Sequence, residues 1–232
     1  GAPGTVAWDL TELDFHTYLD GIYDGLCAEG SEDAKCRMSN PHAFAQSPDG
    51  TWLVADSAHD RILMMEVDTE SSPVRGVVRT VLDATTVSLD SWERCLGVSN
   101  VEVWPDGEAV YALMTCRGDE SSTGTMTQKG SLMLWDITDL DAVTRVWRFP
   151  AEGYLKAAHH GRVLEGPEGP LLAWGHSMGD SGEDNLERGT VGIARFEGAA
   201  PPVYLGDGRL PGTLETFGFV RSVSPLPNGA GL

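Results

Sequence analysis

Lysine is nearly missing: the 232 residues hold only Lys35, Lys129 and Lys156. Arginine does not make up the deficit, since 16 basic residues face 35 acidic ones and the net charge is −19. Phosphate backbones are bound through a clustered positive footprint, so no nucleic acid is expected as a partner. An anionic membrane surface is disfavoured for the same reason. No apolar run approaches the roughly 18–20 residues of a spanning helix, so no membrane span is expected. The opening Gly1-Ala2-Pro3-Gly4 lacks the basic-then-apolar pattern of an export signal, so any such signal is expected to have been removed or to lie outside the sequence. Also missing are a Gly-rich phosphate loop and a serine elbow. Gly175-His176-Ser177-Met178-Gly179 has the spacing of the latter, but between two strands rather than between a strand and a helix.

Cysteine is scarce as well. Cys27, Cys36, Cys95 and Cys116 form no Cys-x-x-Cys, and no Cys/His spacing suits zinc. An even number without metal spacing argues for two disulfides, hence an extracellular or periplasmic address. Four buried thiols in a cytosolic protein are the alternative. An acidic, lysine-poor surface fits an exported or salt-adapted protein, and equally fits simple solubility.

What is present is turn-rich and globular: 41% hydrophobic residues, 8% aromatic, with 28 glycines and 13 prolines. The strongest pattern is a repeat. Ser47-Pro48-Asp49-Gly50 returns as Trp104-Pro105-Asp106-Gly107, Gly166-Pro167-Glu168-Gly169 and Leu226-Pro227-Asn228-Gly229, the glycines 57, 62 and 60 residues apart. Proline pre-sets the first corner of such a turn and glycine accepts the positive φ that ends it. Each copy lies between two β-rich runs, as in a tight hairpin.

Each unit then reads as four strands. The first has 42–47, 51–55, 61–67 and 76–82; the second 98–103, 109–115, 131–137 and 143–149; the third 160–164, 170–175, 190–196 and 202–205. Four antiparallel strands per ~60 residues is the size of a propeller blade. The strands are apolar throughout rather than alternating, as in sheets packed on both faces. The expected fold is an all-β single domain over residues 1–232, a β-propeller of four-stranded antiparallel blades. Three full blades and the start of a fourth are read here, of six or seven when complete. A β-sandwich is the rival, but it gives no reason for one turn to recur at one place.

The ends are expected to be incomplete. Residues 4–8 resemble an outer strand with no blade before it, and the last turn is followed by only three residues. Either missing C-terminal blades or a protein partner would complete the ring, because unpaired edges are avoided. Residues 9–41 form an insertion expected to hold a short helix and a Cys27–Cys36 disulfide. Cys95 precedes the innermost strand of the second unit and Cys116 ends its neighbour, so a hairpin brings them within bonding reach.

Ligands usually meet a propeller at the mouth of its channel. Counting back from the turns places His42, Ser99–Asn100, His159–His160 and Val220–Arg221 there, with Asp56, His59, Asp60, Arg117, Asp119 and His176 in the neighbouring loops. Histidine there can act as acid, base, nucleophile or metal ligand. His159, Asn100, Asp56 and His176 are the candidate ligand-binding residues. The loop 179–185 is rich in oxygen ligands. It would hold Ca2+ through Asp180 and Asp184, although it lacks the order of an EF-hand and reads more simply as a solvated loop.

The segment 40–62, Asn-Pro-His-Ala-Phe-Ala-Gln-Ser-Pro-Asp-Gly-Thr-Trp-Leu-Val-Ala-Asp-Ser-Ala-His-Asp-Arg-Ile, resembles blades of the NHL-repeat and gluconolactonase-like propellers. Gly4-Thr5-Val6-Ala7-Trp8 and Leu226-Pro227-Asn228-Gly229 resemble the bacterial arylsulfotransferase-like propellers. The second resemblance implies a channel histidine that accepts a sulfuryl group, with His42, His160 and Arg221 as the catalytic candidates. Propellers also serve as binding and assembly modules. A secreted or periplasmic binding or assembly module is therefore the leading expectation, and an arylsulfotransferase-like or gluconolactonase-like enzyme the alternative.

Overall fold

The computed structural model describes residues 23–24, 38–68, 70, 75–83, 95–118, 130–153, 155, 158–166, 168–176 and 191–208. Cys27 and Cys36 with their expected disulfide, the helix expected in the insertion, Asp119, Asp180, Asp184, Arg221, the fourth turn and residues 4–8 all lie outside them.

The chain is all-β, and no α-helix occurs among the described residues. A two-residue strand β1 (Tyr23–Asp24) precedes β2 (Pro41–Gln46), β3 (Trp52–Asp56), β4 (Arg61–Asp68) and β5 (Arg75–Asp83). A second sheet follows as β6 (Val98–Asp106), β7 (Ala109–Cys116), β8 (Ser131–Asp136) and β9 (Thr144–Phe149). The third comprises β10 (Ala158–Gly166), β11 (Gly169–His176), β12 (Val191–Arg195) and β13 (Val203–Gly208). In each sheet consecutive strands pair antiparallel, in the orders β2-β3-β4-β5, β6-β7-β8-β9 and β10-β11-β12-β13.

The first sheet has one strand more than the repeat implies. Tyr23 and Asp24 pair parallel with Gly76 and Val77 of β5, which covers what would otherwise be an open edge. The repeated turn is also less uniform than its sequence. In the first sheet Pro48–Gly50 form the loop, Gly50 donating its N–H to Ser47 O at 2.9 Å. In the second sheet the loop has moved two residues on. Asp106 pairs with Ala109, and Pro105 sits inside β6 opposite Val110. Proline is tolerated there because β6 is an edge strand, and its missing N–H costs no ladder bond.

The sheets stack through apolar faces. Leu53, Ala55, Ile62 and Met64 of the first sheet meet Ala112, Met114, Met133 and Trp135 of the second. Across the second sheet, Leu113, Leu132, Leu134 and Trp147 meet Leu172, Trp174 and Ala194 of the third. Strand β8 therefore buries both sets of alternate side chains, which explains its continuous apolar run. A fully buried large apolar side chain contributes about 1.5–3 kcal/mol, against about 1 kcal/mol for a hydrogen bond. The apolar layers therefore hold the stack together, and the polar bonds between sheets set its alignment.

Candidate functional site

The site begins with a local irregularity that occurs three times. The first strand of each antiparallel set carries a β-bulge just after its start: between Pro41 and Ala43 in β2, between Val98 and Asn100 in β6, and between His159 and Arg162 in β10. A bulge re-aims the side chain it carries. The re-aimed positions are His42, Ser99 and the His160-Gly161 step. These ends lie together, because Ser99 Oγ donates toward Ala158 O at 3.4 Å and Gly97 N–H donates to Asp60 Oδ1 at 2.6 Å. Backbone strain concentrates here too. Asn40, Asp60 and His160 are the described non-glycine residues with positive φ, at 56°, 54° and 47°. Such conformations persist only where surrounding structure enforces them.

The polar residues of this end lace one sheet to the next. Asn100, buried, donates from Nδ2 to Gly161 O at 3.0 Å. Thr115 Oγ1 accepts Gly161 N–H at 2.8 Å. Glu102 accepts Val163 N–H at 3.0 Å and lies 3.5 Å from Arg162 Nε. Burial raises the Glu102 pKa above the usual glutamate value, with the bonds to Val163 and Arg162 acting against it. Gly161 fits only as glycine: a Cβ there would lie 2.7 Å from both Leu132 Cδ2 and Thr115 Oγ1. The disulfide Cys95–Cys116 closes the start of β6 onto the end of β7, with Cα atoms 5.1 Å apart. Arg117 N–H and Gly118 N–H continue that seam to Gly97 O and Leu96 O.

The first sheet contributes a buried ionic knot. The Asp56 side chain is fully buried, its Oδ2 2.7 Å from Arg61 Nε and 2.9 Å from His59 Nδ1. Asp56 Oδ1 also accepts Ser39 N–H at 2.7 Å, so the segment leading into β2 is fixed to the end of β3.

The residues expected at the mouth are thus distributed as follows. His42 is exposed and His160 half-buried, each on a bulge. His159 is buried beside it, and Asn100 and Asp56 are buried in the bonds just given. His176 ends β11 opposite Ala158. His160 is held below the ordinary histidine pKa by burial first and by Arg162 second, which keeps the ring neutral near pH 7. Among the described residues no three His, Cys, Asp or Glu side chains converge as a metal site. Sequence reasoning missed Glu102, Thr115 and Gly161. Their roles rest on contacts with a strand about 50–60 residues away, and no local pattern marks them.

Chemically, the end offers two accessible imidazoles, His42 and His160, on a rigid bed of backbone and buried amides. It can bind a polar group, or accept and donate protons at a neutral imidazole. Comparison of the chain with known families, with curated proteins and with solved structures gives no match.

Proposed function

We propose that this chain is part of a β-propeller in a secreted or periplasmic protein, and that it acts by binding or assembly. The observation that carries this reading is the lacing at the bulged ends. Asp60, Asn100, Glu102 and Thr115 spend their polar groups on the neighbouring sheet, which makes a stiff platform rather than a reactive pocket. Preorganised platforms bind with little ordering cost. Three face-packed sheets, each built on four consecutive antiparallel strands and with their first strands side by side, support the blade reading. The Cys95–Cys116 bond supports an oxidising compartment.

A second reading is favoured by the strained, neutral His160: an arylsulfotransferase-like or gluconolactonase-like enzyme using His42, His160 and Arg221. One experiment separates the two. The purified protein is incubated with an aryl sulfate donor and a phenol acceptor, and separately with an aldonolactone. The binding reading expects no turnover above buffer. Turnover lost in His42→Ala or His160→Ala would overturn it in favour of the enzyme.

A further inference from the structure

Four large hydrophobic side chains are exposed among the described residues, and three of them are consecutive: Val203, Tyr204 and Leu205 of β13, at 66%, 50% and 52%. Successive residues of a strand point to opposite faces, so β13 is open on both faces here. It ends the third sheet, with β12 as its one neighbour among the described strands. A strand in that position turns alternate N–H and C=O groups away from its sheet, which makes it a template for another strand.

The matching strands of the other two sheets are built differently. In each fourth strand one residue has no partner across the ladder: Arg79 in β5, Val146 in β9 and Leu205 in β13. Arg79 is charged and paired with Glu66 at 2.6 Å, and β1 lies along β5 at Gly76 and Val77. Val146 packs into the apolar layer between the second and third sheets. Leu205 carries no charge and stands half exposed. Charge and cover are the devices that close a sheet edge, and the first sheet uses both. Its β1 also shows the kind of occupant such an edge takes, a short extended segment.

The surroundings of β13 are acidic. Asp207 lies in the strand and Glu197 is exposed just beyond β12, while the Arg195 charge is met by Glu168 at 2.5 Å. With a net charge of −19 on the whole chain, a second copy is repelled and a basic segment attracted.

We propose that β13 is a docking edge for an extended apolar segment, flanked by basic residues, of a protein partner, which adds to the third sheet as a further strand. Backbone hydrogen bonds supply the affinity, and side chains set over Val203 and Leu205 select apolar residues. The proposal rests on the binding reading and places the contact on an outer edge, away from the laced ends.

The test uses the whole chain and the labelled peptide Lys-Val-Thr-Val-Thr-Val-Lys, followed by fluorescence anisotropy, with Glu-Val-Thr-Val-Thr-Val-Glu as control. Wild type is compared with Val203→Ser/Leu205→Ser, which keeps the charge and alters only exposed side chains. The expected result is saturable binding of the basic peptide and at least tenfold weaker binding of the acidic one. The variant loses at least tenfold in affinity for the basic peptide, with an unchanged circular-dichroism spectrum. No binding of the basic peptide, or equal binding by the variant, overturns the proposal. If the variant does not fold, amide exchange of the wild type decides: slowing by the basic peptide at residues 203–206 supports the edge, and slowing elsewhere or none overturns it. Sedimentation without peptide is the remaining check, since a dimer lost in the variant would name a second copy as occupant and overturn the partner assignment. Turnover of the aryl sulfate or lactone would fail the binding reading and is read separately from every one of these outcomes.

Discussion

Removing the disulfide gives the sharpest test of the stacking geometry. Cys95 and Cys116 are 21 residues apart in sequence and sit in the apolar layer between the first and second sheets. Both are buried, at 4% and 0% exposure, so alanine is the suitable replacement: it adds no unsatisfied hydroxyl. On the chain-entropy model, a closed loop of about 20 residues removes about 3 kcal/mol of freedom from the unfolded chain. With a urea slope of about 2–3 kcal/mol/M, the Cys95→Ala/Cys116→Ala variant should lose roughly 1–1.5 M in its unfolding midpoint. The assay is urea denaturation followed by tryptophan fluorescence, comparing the variant with the wild type without reductant. Using the variant leaves Cys27 and Cys36 untouched. A midpoint shift under about 0.3 M would refute the reasoning, since it would mean that this link hardly constrains the unfolded chain.

Three further outcomes follow from the packing. Gly192→Ala should destabilise by about 1–3 kcal/mol in urea melts, because its Cβ would lie 2.2 Å from two ring carbons of the fully buried Trp174. Asn100→Ala should cost about 1–3 kcal/mol by leaving the Gly161 carbonyl without its donor, and amide exchange should rise at Gly161 and Val163. The lowered His160 pKa fixes a pH dependence. The unfolded histidine takes up its proton near pH 6.5 while the folded one resists, so this stability is complete above that pH and is lost as the pH falls toward the folded value. The melting temperature of the wild type should fall more between pH 7.5 and 5.5 than that of His160→Asn; parallel curves would contradict it.

Much of this architecture is legible in the sequence, for identifiable reasons. The Pro-x-Gly turns and the apolar runs between them place the strands of three sheets, because turn chemistry and burial on both faces act locally. The Cys95–Cys116 bond follows from hairpin register alone. The placement of the turn within each copy does not follow. Pro105 enters a strand while Pro48 stays in a loop, and only the pairing of Asp106 with Ala109 sets the difference. The bulges are equally hidden, since a bulge is a mismatch between two strands and belongs to neither. Counting back from the turns singles out His42 and His160. The sequence also singles out Asp56, but that its carboxylate is closed off by Arg61, His59 and Ser39 shows only in three dimensions.

The three bulges have a consequence for how such a chain can change over time. Beyond each bulge the strand resumes the alternation that feeds the apolar layers; before it, the side chain answers to different neighbours. His42 and His160 therefore stand on positions uncoupled from the inside-outside rhythm of their own strands. Exchange at either one alters what the end of the stack displays while the layers behind keep their composition. The scaffold and its display surface can thus evolve at different rates within a single strand.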